Sequence, residues 1–229
     1  MNRHGIRSTR NIRIVLFGSE GGFSTPILEQ LLAHGLCVSA VVVIDASCNK
    51  REFPVSIQQA ARPGGLEEMA IRNNVLVLKA QTLNDDTFLA RLTNLHAEVL
   101  FVACFAHKIP PRIWREMNLP CWNLHPSLLP LYRGPSPLYW QIRYKEAKTG
   151  LTLHAVSSGI DAGDIVAQIP LPLPENPDKD SLNHWVAVQG ANLFHITLLQ
   201  HLQGTLQAVP QDEMMANYYP YPPKENPEV

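Results

Sequence analysis

Short apolar runs alternate with amphipathic ones through the first hundred residues, and this alternation narrows the fold more than any other feature. Ile12–Phe17 is a compact apolar run that ends in Gly18-Ser-Glu-Gly-Gly22. A helical pattern through Ile27, Leu28, Leu31 and Leu32 follows. The reading is strand, glycine turn, helix. Val38–Ile44 is a second, valine-rich strand. Val55–Arg72 has helical periodicity that Pro63-Gly64-Gly65 must break in two. A short strand at Val75–Leu78, a helix at Asp85–Leu95 capped by Asn84, and a strand at Glu98–Ala103 complete the half. Strands spaced this way by helices predict an α/β fold: a Rossmann-like, mostly parallel twisted sheet with helices on both faces. Its ligand crevice belongs at the strands' carboxyl ends.

In the second half, Pro135–Tyr144 reads as a helix, Gly150–Val156 as an alternating strand and Ile165–Leu171 as another strand. Asp180–Leu202 has a long helical pattern, with Leu182, Trp185, Val186, Leu193, Ile196 and Leu199 assigned to one face. We read one principal domain over 12–210, a frayed N-terminal tail over 1–11 and an extended surface tail over 211–229. The opening Met1–Arg13 carries Arg3, Arg7, Arg10 and Arg13 with no acid. A strand follows at once, which leaves almost no length for a cleaved targeting segment.

Charge and cysteine usage exclude several classes. A formal net charge of −1 argues against a protein that grips nucleic acid mainly through phosphates. Cys37, Cys48, Cys104 and Cys121 form no Cys-x-x-Cys pair, so buried reduced thiols are expected rather than a zinc site or disulfides. No apolar run approaches the roughly 20 residues that span a bilayer. The expected setting is the cytoplasm, with no membrane partner and no metal. The oligomeric state stays open, a homodimer being one option.

Chemistry concentrates in Pro120-Cys-Trp-Asn-Leu-His-Pro-Ser-Leu-Leu-Pro-Leu-Tyr-Arg-Gly134. Asn123, His125 and Ser127 stand at alternate positions, so a strand would present all three from one face. An amide, an imidazole and a hydroxyl together suit a site better than a core. Later, Ser158-Gly-Ile-Asp-Ala-Gly-Asp164 is a tight turn that could carry Asp161 to the imidazole. An Asn/His/Asp set can polarise a carbonyl and manage one proton. Ser127 lacks the Gly-x-Ser-x-Gly elbow, so a turn-stabilising hydroxyl is preferred over a nucleophile. Arg133 reads as either a surface charge or an anion clamp for substrate, and Gly134, which lets the chain approach closely, favours the clamp. His154, beside Thr152 on the alternating strand, divides evenly between site and core. His107-Lys108-Ile109 follows the Glu98–Ala103 strand and so falls at the crevice. Gly18-x-x-Gly21-Gly22 has the wrong spacing for a dinucleotide fingerprint and reads as a plain strand-to-helix turn whose amides could hold an anion.

Three blocks in order, Asn123-x-His125-x-Ser127-Leu-Leu-Pro130-x-Tyr132-Arg133-Gly134, Thr149-Gly150-x-Thr152-x-His154 and Gly159-Ile160-Asp161-Ala162-Gly163-Asp164-Ile165, resemble the folate-dependent formyltransferases. The resemblance runs from about Ile12 to the Tyr-Tyr-Pro segment. It implies Asn123, His125 and Asp161 as catalytic residues and 10-formyltetrahydrofolate as formyl donor. It implies donor contacts from His107, Lys108 and Ile109, from Ser127, Leu128, Leu129 and Pro130, and from Ser157, Ser158, Gly159 and Ile160. Asn123 and a protonated His125 would stabilise the oxyanion, with Asp161 orienting the imidazole and raising its pKa. The Tyr132-Arg133-Gly134 ending and the Asp161–Gln168 run look most like the sugar-type enzymes. A small-molecule amine, such as an amino sugar nucleotide, is therefore the expected acceptor. Methionyl-tRNA and glycinamide ribonucleotide are the alternatives within the family. Asp45–Glu52, where the tRNA enzymes carry a basic loop, is short and mildly basic, and the chain ends soon after Tyr219. Two readings from other classes are a 10-formyltetrahydrofolate hydrolase, expected to carry an N-terminal regulatory domain, and a non-catalytic folate-binding module.

Overall fold

Alternate residues of the first strand enter two different cores. Ile14 and Leu16 join one apolar cluster, Val15 and Phe17 another, and all four are fully buried. A strand covered on both faces reads as a continuous apolar run, and this is why Ile12–Phe17 lacks polar alternation. The computed structural model describes residues 9–45, 64–175 and 177–223.

The described residues run β1 (Arg13–Gly18), α1 (Ser24–Ala33), β2 (Cys37–Ile44), α2 (Leu66–Arg72), β3 (Leu76–Ala80), α3 (Asp86–Asn94) and β4 (Val99–Ala103). Next come a π-helical turn (Arg112–Glu116), β5 (Cys121–His125), α4 (Pro137–Arg143), β6 (Lys148–Ala155), β7 (Ile165–Pro172) and α5 (Lys179–Leu202). One sheet of seven strands has the order β3-β2-β1-β4-β5-β6-β7. β1 to β5 pair in parallel, whereas β6 is antiparallel to both β5 and β7. The expected α/β fold is present. Helices α1, α2 and α5 cover one face, and α3 with the π-helical turn covers the other.

Several details differ from expectation. Asp85, not Asn84, caps α3: its carboxylate accepts the Phe88 N–H at 3.1 Å, a carboxylate one residue nearer the helix. Only the second piece of the Val55–Arg72 helix, α2, lies within the described residues, and so does only Asp45 of the Asp45–Glu52 stretch. On α5, Ile196 is 56% exposed, while Leu182, Val186, Gly190, Phe194 and Leu198 are buried in steps of four. The true face thus runs through Gly190, which hydropathy alone does not select. Thr9–Asn11, inside the stretch read as a tail, form a 3-10 turn with Thr9 buried. Cys121 is buried, and burial raises its thiol to about 12, but Cys37 is half-buried and Cys104 exposed. All three are free thiols, and Cys48 lies outside the described residues. Among the described residues no helix is long and apolar enough to cross a membrane.

The first glycine turn is a strand-to-helix connection. Ser24 Oγ donates to Ala103 O at 2.8 Å and accepts the Ser19 N–H, tying β1 to β4. Glu20 reaches across the turn, and its carboxylate accepts the Leu66 and Glu67 N–H groups at 3.0 and 2.9 Å. It thereby occupies the N-terminus of α2 with an internal anion.

Gly190 decides how closely α5 sits on the strand that carries the site. A Cβ there would stand 2.2 Å from Leu124 Cδ2, between Asn123 and His125 in sequence. Gly190→Val is expected to cost at least about 2 kcal/mol, because a packed core cannot take extra methyls without moving backbone. Gly22→Ala, where nothing lies within 4 Å, is its control. Thermal denaturation should show a fall of roughly 5 °C for the first and little change for the second.

Candidate active site

β5 ends where the chemistry begins. In the antiparallel pairing of β5 with β6, Asn123 faces His154 and His125 faces Thr152, so the four share one face of the sheet. Asn123 is half-buried, while His125 and His154 are buried. The β6–β7 turn adds Asp161, held at φ +50° in the left-handed region that Asp enters more readily than most residues. Its carboxylate accepts the Gly134 N–H at 2.9 Å through Oδ2 and an Asn123 Nδ2–H at 3.3 Å through Oδ1. His125 Nδ1 lies 3.6 Å from Oδ2, and His154 Nε2 lies 3.5 Å from Oδ1. The structure therefore brings Asn123, His125, Asp161 and His154 together.

Hydrogen positions follow from the partners. His125 Nε2 sits 2.8 Å from Tyr132 O, and a carbonyl only accepts, so Nε2 carries the hydrogen and Nδ1 is the basic nitrogen. His154 Nδ1 likewise donates to Ala155 O at 2.9 Å, leaving Nε2 to accept the second Asn123 Nδ2–H at 3.0 Å. Both amide hydrogens of Asn123 are thus engaged, the one on Asp161 more loosely.

Burial dominates His125 and lowers its pKa; Asp161 and the Tyr132 carbonyl oppose this only in part. This corrects the expectation of a resting imidazolium: the desolvation of a fully enclosed ring outweighs a carboxylate that stands beyond hydrogen-bond distance. For Asp161, burial pushes the carboxyl up. The His125 charge, the His154 contact and the Gly134 N–H together outweigh it, and the carboxyl falls from 3.8 to about 2. The two shifts describe one pair at different pH. Near neutrality the pair is a neutral imidazole beside an anion, and in acid, where Asp161 titrates, the ring is charged.

Ser127 is fully buried, and its hydroxyl donates to Leu131 O at 2.7 Å, the turn-fastening role preferred from the sequence. The Ser127–Pro130 turn, with a cis Leu129–Pro130 bond, is clamped from below. Thr152 Oγ1 donates to Ser127 O at 2.7 Å and accepts the Leu129 N–H, while Gln168 Nε2 donates to Leu129 O and Thr152 Oγ1. Gln141 holds Pro126 O at 2.9 Å. Of these clamping residues, Thr152 had a signal in the alternation of β6. Gln168 is its cross-strand partner on β7, which only the register reveals.

The loop read as 107–109 and the loop read as 157–161 meet, since Lys108 Nζ donates to Ser158 O at 2.5 Å. His107 is half-buried, whereas Ile109 is buried in the core on one face of the sheet. Leu128 and Pro130 are half-buried and Leu129 is buried. Ser157 is half-buried, Ser158 and Gly159 are exposed, and Ile160 shows 54% of its surface beside Asp161.

Arg133 departs from its expected role. It is 8% exposed, and its guanidinium makes two bonds to Gln211 Oε1 and two to the Glu213 carboxylate, at 2.8–3.1 Å. A guanidinium has five N–H groups, so little remains for a substrate anion. The segment that captures it reads from the sequence as a surface tail. Asn217 Oδ1 accepts the Tyr132 N–H at 2.6 Å, Tyr219 N donates to Arg133 O at 2.8 Å, and the Tyr219 ring stacks on Tyr132. Gly134 (φ +118°) makes this approach possible, because a Cβ there would lie 2.0 Å from Tyr219 O. Among the described residues no cluster of three or more His, Cys, Asp or Glu side chains could hold a metal ion.

Known proteins resemble this chain in sequence and in fold. The chain is 29% identical over 218 residues, 95% of its own length, to methionyl-tRNA formyltransferase from Halalkalibacterium halodurans, of which it spans 67%. The fold is shared with glycinamide ribonucleotide transformylase 1 from Symbiobacterium toebii (TM-score 0.67, 20% identity, 90% of this chain and 96% of that one). It is also shared with the N-formyltransferase from Helicobacter canadensis complexed with folinic acid and dTDP-3-aminofucose (TM-score 0.60, 21% identity, 91% and 71%). A model of the formyl transferase family matches residues 12–198, which contain the whole β-sheet, Asn123, His125 and Asp161. With most of its length so matched, the chain belongs to the formyl transferase family.

Proposed function

We propose that this protein transfers a formyl group from 10-formyltetrahydrofolate to a primary amine, with Asn123, His125 and Asp161 as its catalytic residues. The observation that carries the reading is the close set of an amide, a neutral imidazole with a basic Nδ1, and an anionic carboxylate at the end of β5. The two loops that the family resemblance assigns to the donor lie side by side through Lys108 and Ser158, and Ile160 offers apolar surface next to Asp161. These residues fit a reduced folate.

When bound, the donor supplies an activated formyl carbon. An amine that bonds to this carbon must shed a proton as negative charge grows on the formyl oxygen. The Asn123 N–H held at 3.3 Å by Asp161 is the weaker of its two bonds and the one more readily given up to that oxygen. Such a donor is worth a few kcal/mol in the transition state. His125 takes the proton at Nδ1, where Asp161 Oδ2 stabilises the imidazolium, and returns it to the departing folate nitrogen. A ring that starts neutral is able to accept this proton, whereas a resting imidazolium is not.

A small amine such as an amino sugar nucleotide is the acceptor that the Tyr132-Arg133-Gly134 wording favours. One observation favours a second reading: identity reaches 32% with a methionyl-tRNA formyltransferase against 21% with the sugar-nucleotide enzyme. Methionyl-tRNA therefore stands as the alternative acceptor, and a nucleic acid remains a candidate partner. The test is absorbance detection of tetrahydrofolate release from 10-formyltetrahydrofolate. It is run with dTDP-3-aminofucose, glycinamide ribonucleotide, initiator methionyl-tRNA or no amine. Release that requires one of the three supports transfer and names the acceptor. Release without amine replaces transfer by hydrolysis, and no release under any condition overturns the reading.

A further inference from the structure

A single amide side chain, fifty residues away in sequence, has every hydrogen-bonding position filled against the aspartate turn and the turn after β5. Gln211 Nε2 donates to Asp161 O at 2.8 Å and to Gly163 O at 2.7 Å. Its Oε1 accepts from Arg133 Nε at 3.1 Å and from Nη2 at 2.8 Å. Two carbonyls on one end and a guanidinium on the other leave only one way for the amide to face. These bonds close a ring. The Arg133 side chain holds Gln211, Gln211 holds the main chain of Asp161, and the N–H of Gly134 holds the Asp161 carboxylate. Asp161 is in the left-handed region, and Gly163 cannot carry a side chain, since a Cβ would lie 1.8 Å from Ala155 O. A turn this constrained adopts one conformation only while its carbonyls are held.

We propose that Gln211 is a positioning residue of the active site: by gripping the Asp161 and Gly163 carbonyls it sets the turn that aims the Asp161 carboxylate at His125. The inference rests on the formyl-transfer reading for its kinetic consequence only, because the geometry it describes does not depend on the reaction. The segment from Gln211 to Tyr219 then belongs to the site, joined to it also by Asn217 and Tyr219.

The test uses the full chain with Gln211→Ala and Gln211→Glu. The glutamate keeps the acceptor for Arg133, and so the docking of the segment, but offers oxygens to the two carbonyls. Turnover is read as tetrahydrofolate release from 10-formyltetrahydrofolate with dTDP-3-aminofucose, glycinamide ribonucleotide or initiator methionyl-tRNA, whichever the wild type accepts. The His125 titration midpoint is read by NMR in wild type and Gln211→Ala, assigned by the signal lost in His125→Gln. In both variants kcat should fall about 20-fold or more with KM values moving by less than about threefold, since displacement of a catalytic group by an ångström has effects of this size. In Gln211→Ala the His125 midpoint should fall by roughly half a unit, because the displaced carboxylate no longer favours the charged ring. A purely structural contribution would lower the melting temperature without moving that midpoint. A kcat within about twofold of wild type in Gln211→Glu, or an unmoved midpoint in Gln211→Ala, overturns the proposal. Should the wild type use none of the three acceptors, the transfer reading fails while the histidine titration still decides the role of Gln211.

Discussion

His125→Gln should retain the fold and lose about 10²–10⁴ in kcat, the usual range when a positioned proton carrier is removed. Glutamine is the informative replacement. Its amide N–H can reach the Tyr132 carbonyl, the partner that His125 Nε2 contacts at 2.8 Å, so the turn after β5 keeps its anchor. What it lacks is a nitrogen that titrates. Turnover measured with the acceptor identified by the amine panel, alongside a melting curve within a few degrees of wild type, checks the expectation. A folded His125→Gln enzyme with near wild-type kcat would remove the imidazole from the mechanism. The pH profile adds a second reading: burial lowers the His125 pKa, so the neutral, proton-accepting ring persists below the pH at which an exposed histidine charges.

Asp161→Asn tests the partner of that imidazole and has a stability consequence of known sign. The side chain stays nearly isosteric, and its amide oxygen can still accept the Gly134 N–H. The charge that stabilises a protonated His125 is gone, and a loss of about 100-fold or more in kcat is expected. In the wild type the folded carboxyl titrates at about 2 against 3.8 for the ordinary side chain. A lowered pKa means that the ionised form is favoured by folding, so the contribution is complete above about pH 4 and is lost as pH falls toward 2. A gap of this size corresponds to about 2 kcal/mol. Denaturant unfolding at pH 7 and pH 3 should therefore show a smaller acid loss in Asp161→Asn than in wild type. Equal losses would mean that the carboxylate is not held by its neighbours.

Much of this protein is written locally. Strands β1 and β2 announce themselves because both of their faces are buried, and a run with no polar residue is hard to mistake. Asn123 and His125 are legible for the opposite reason: polar groups at alternate positions in an apolar strand contradict a core, and the contradiction marks a site. Ser127 shows its turn-fastening part through the prolines and glycine around it. Helix α5 is less legible, since its buried face is organised around Gly190, whose value is the absence of a side chain against Leu124.

Arg133 marks the limit of local reading. An arginine beside a glycine looks like an anion clamp until the segment from Gln211 to Glu213 is seen to occupy it. Neither Gln168 beneath the Ser127–Pro130 turn nor Gln211 behind Asp161 carries a pattern of its own, because each acts on carbonyl groups dozens of residues away. The protonation state of His125 has the same origin. A carboxylate brought near an imidazole suggests a charged ring, yet the ring's enclosure by the rest of the fold decides otherwise. Periodicity and residue type, which act over a few residues, determined the elements, their order and the identity of the reactive groups. Tertiary structure alone decided which of these groups is oriented, neutral or already engaged, because desolvation and long-range hydrogen bonds depend on chain segments far apart in sequence.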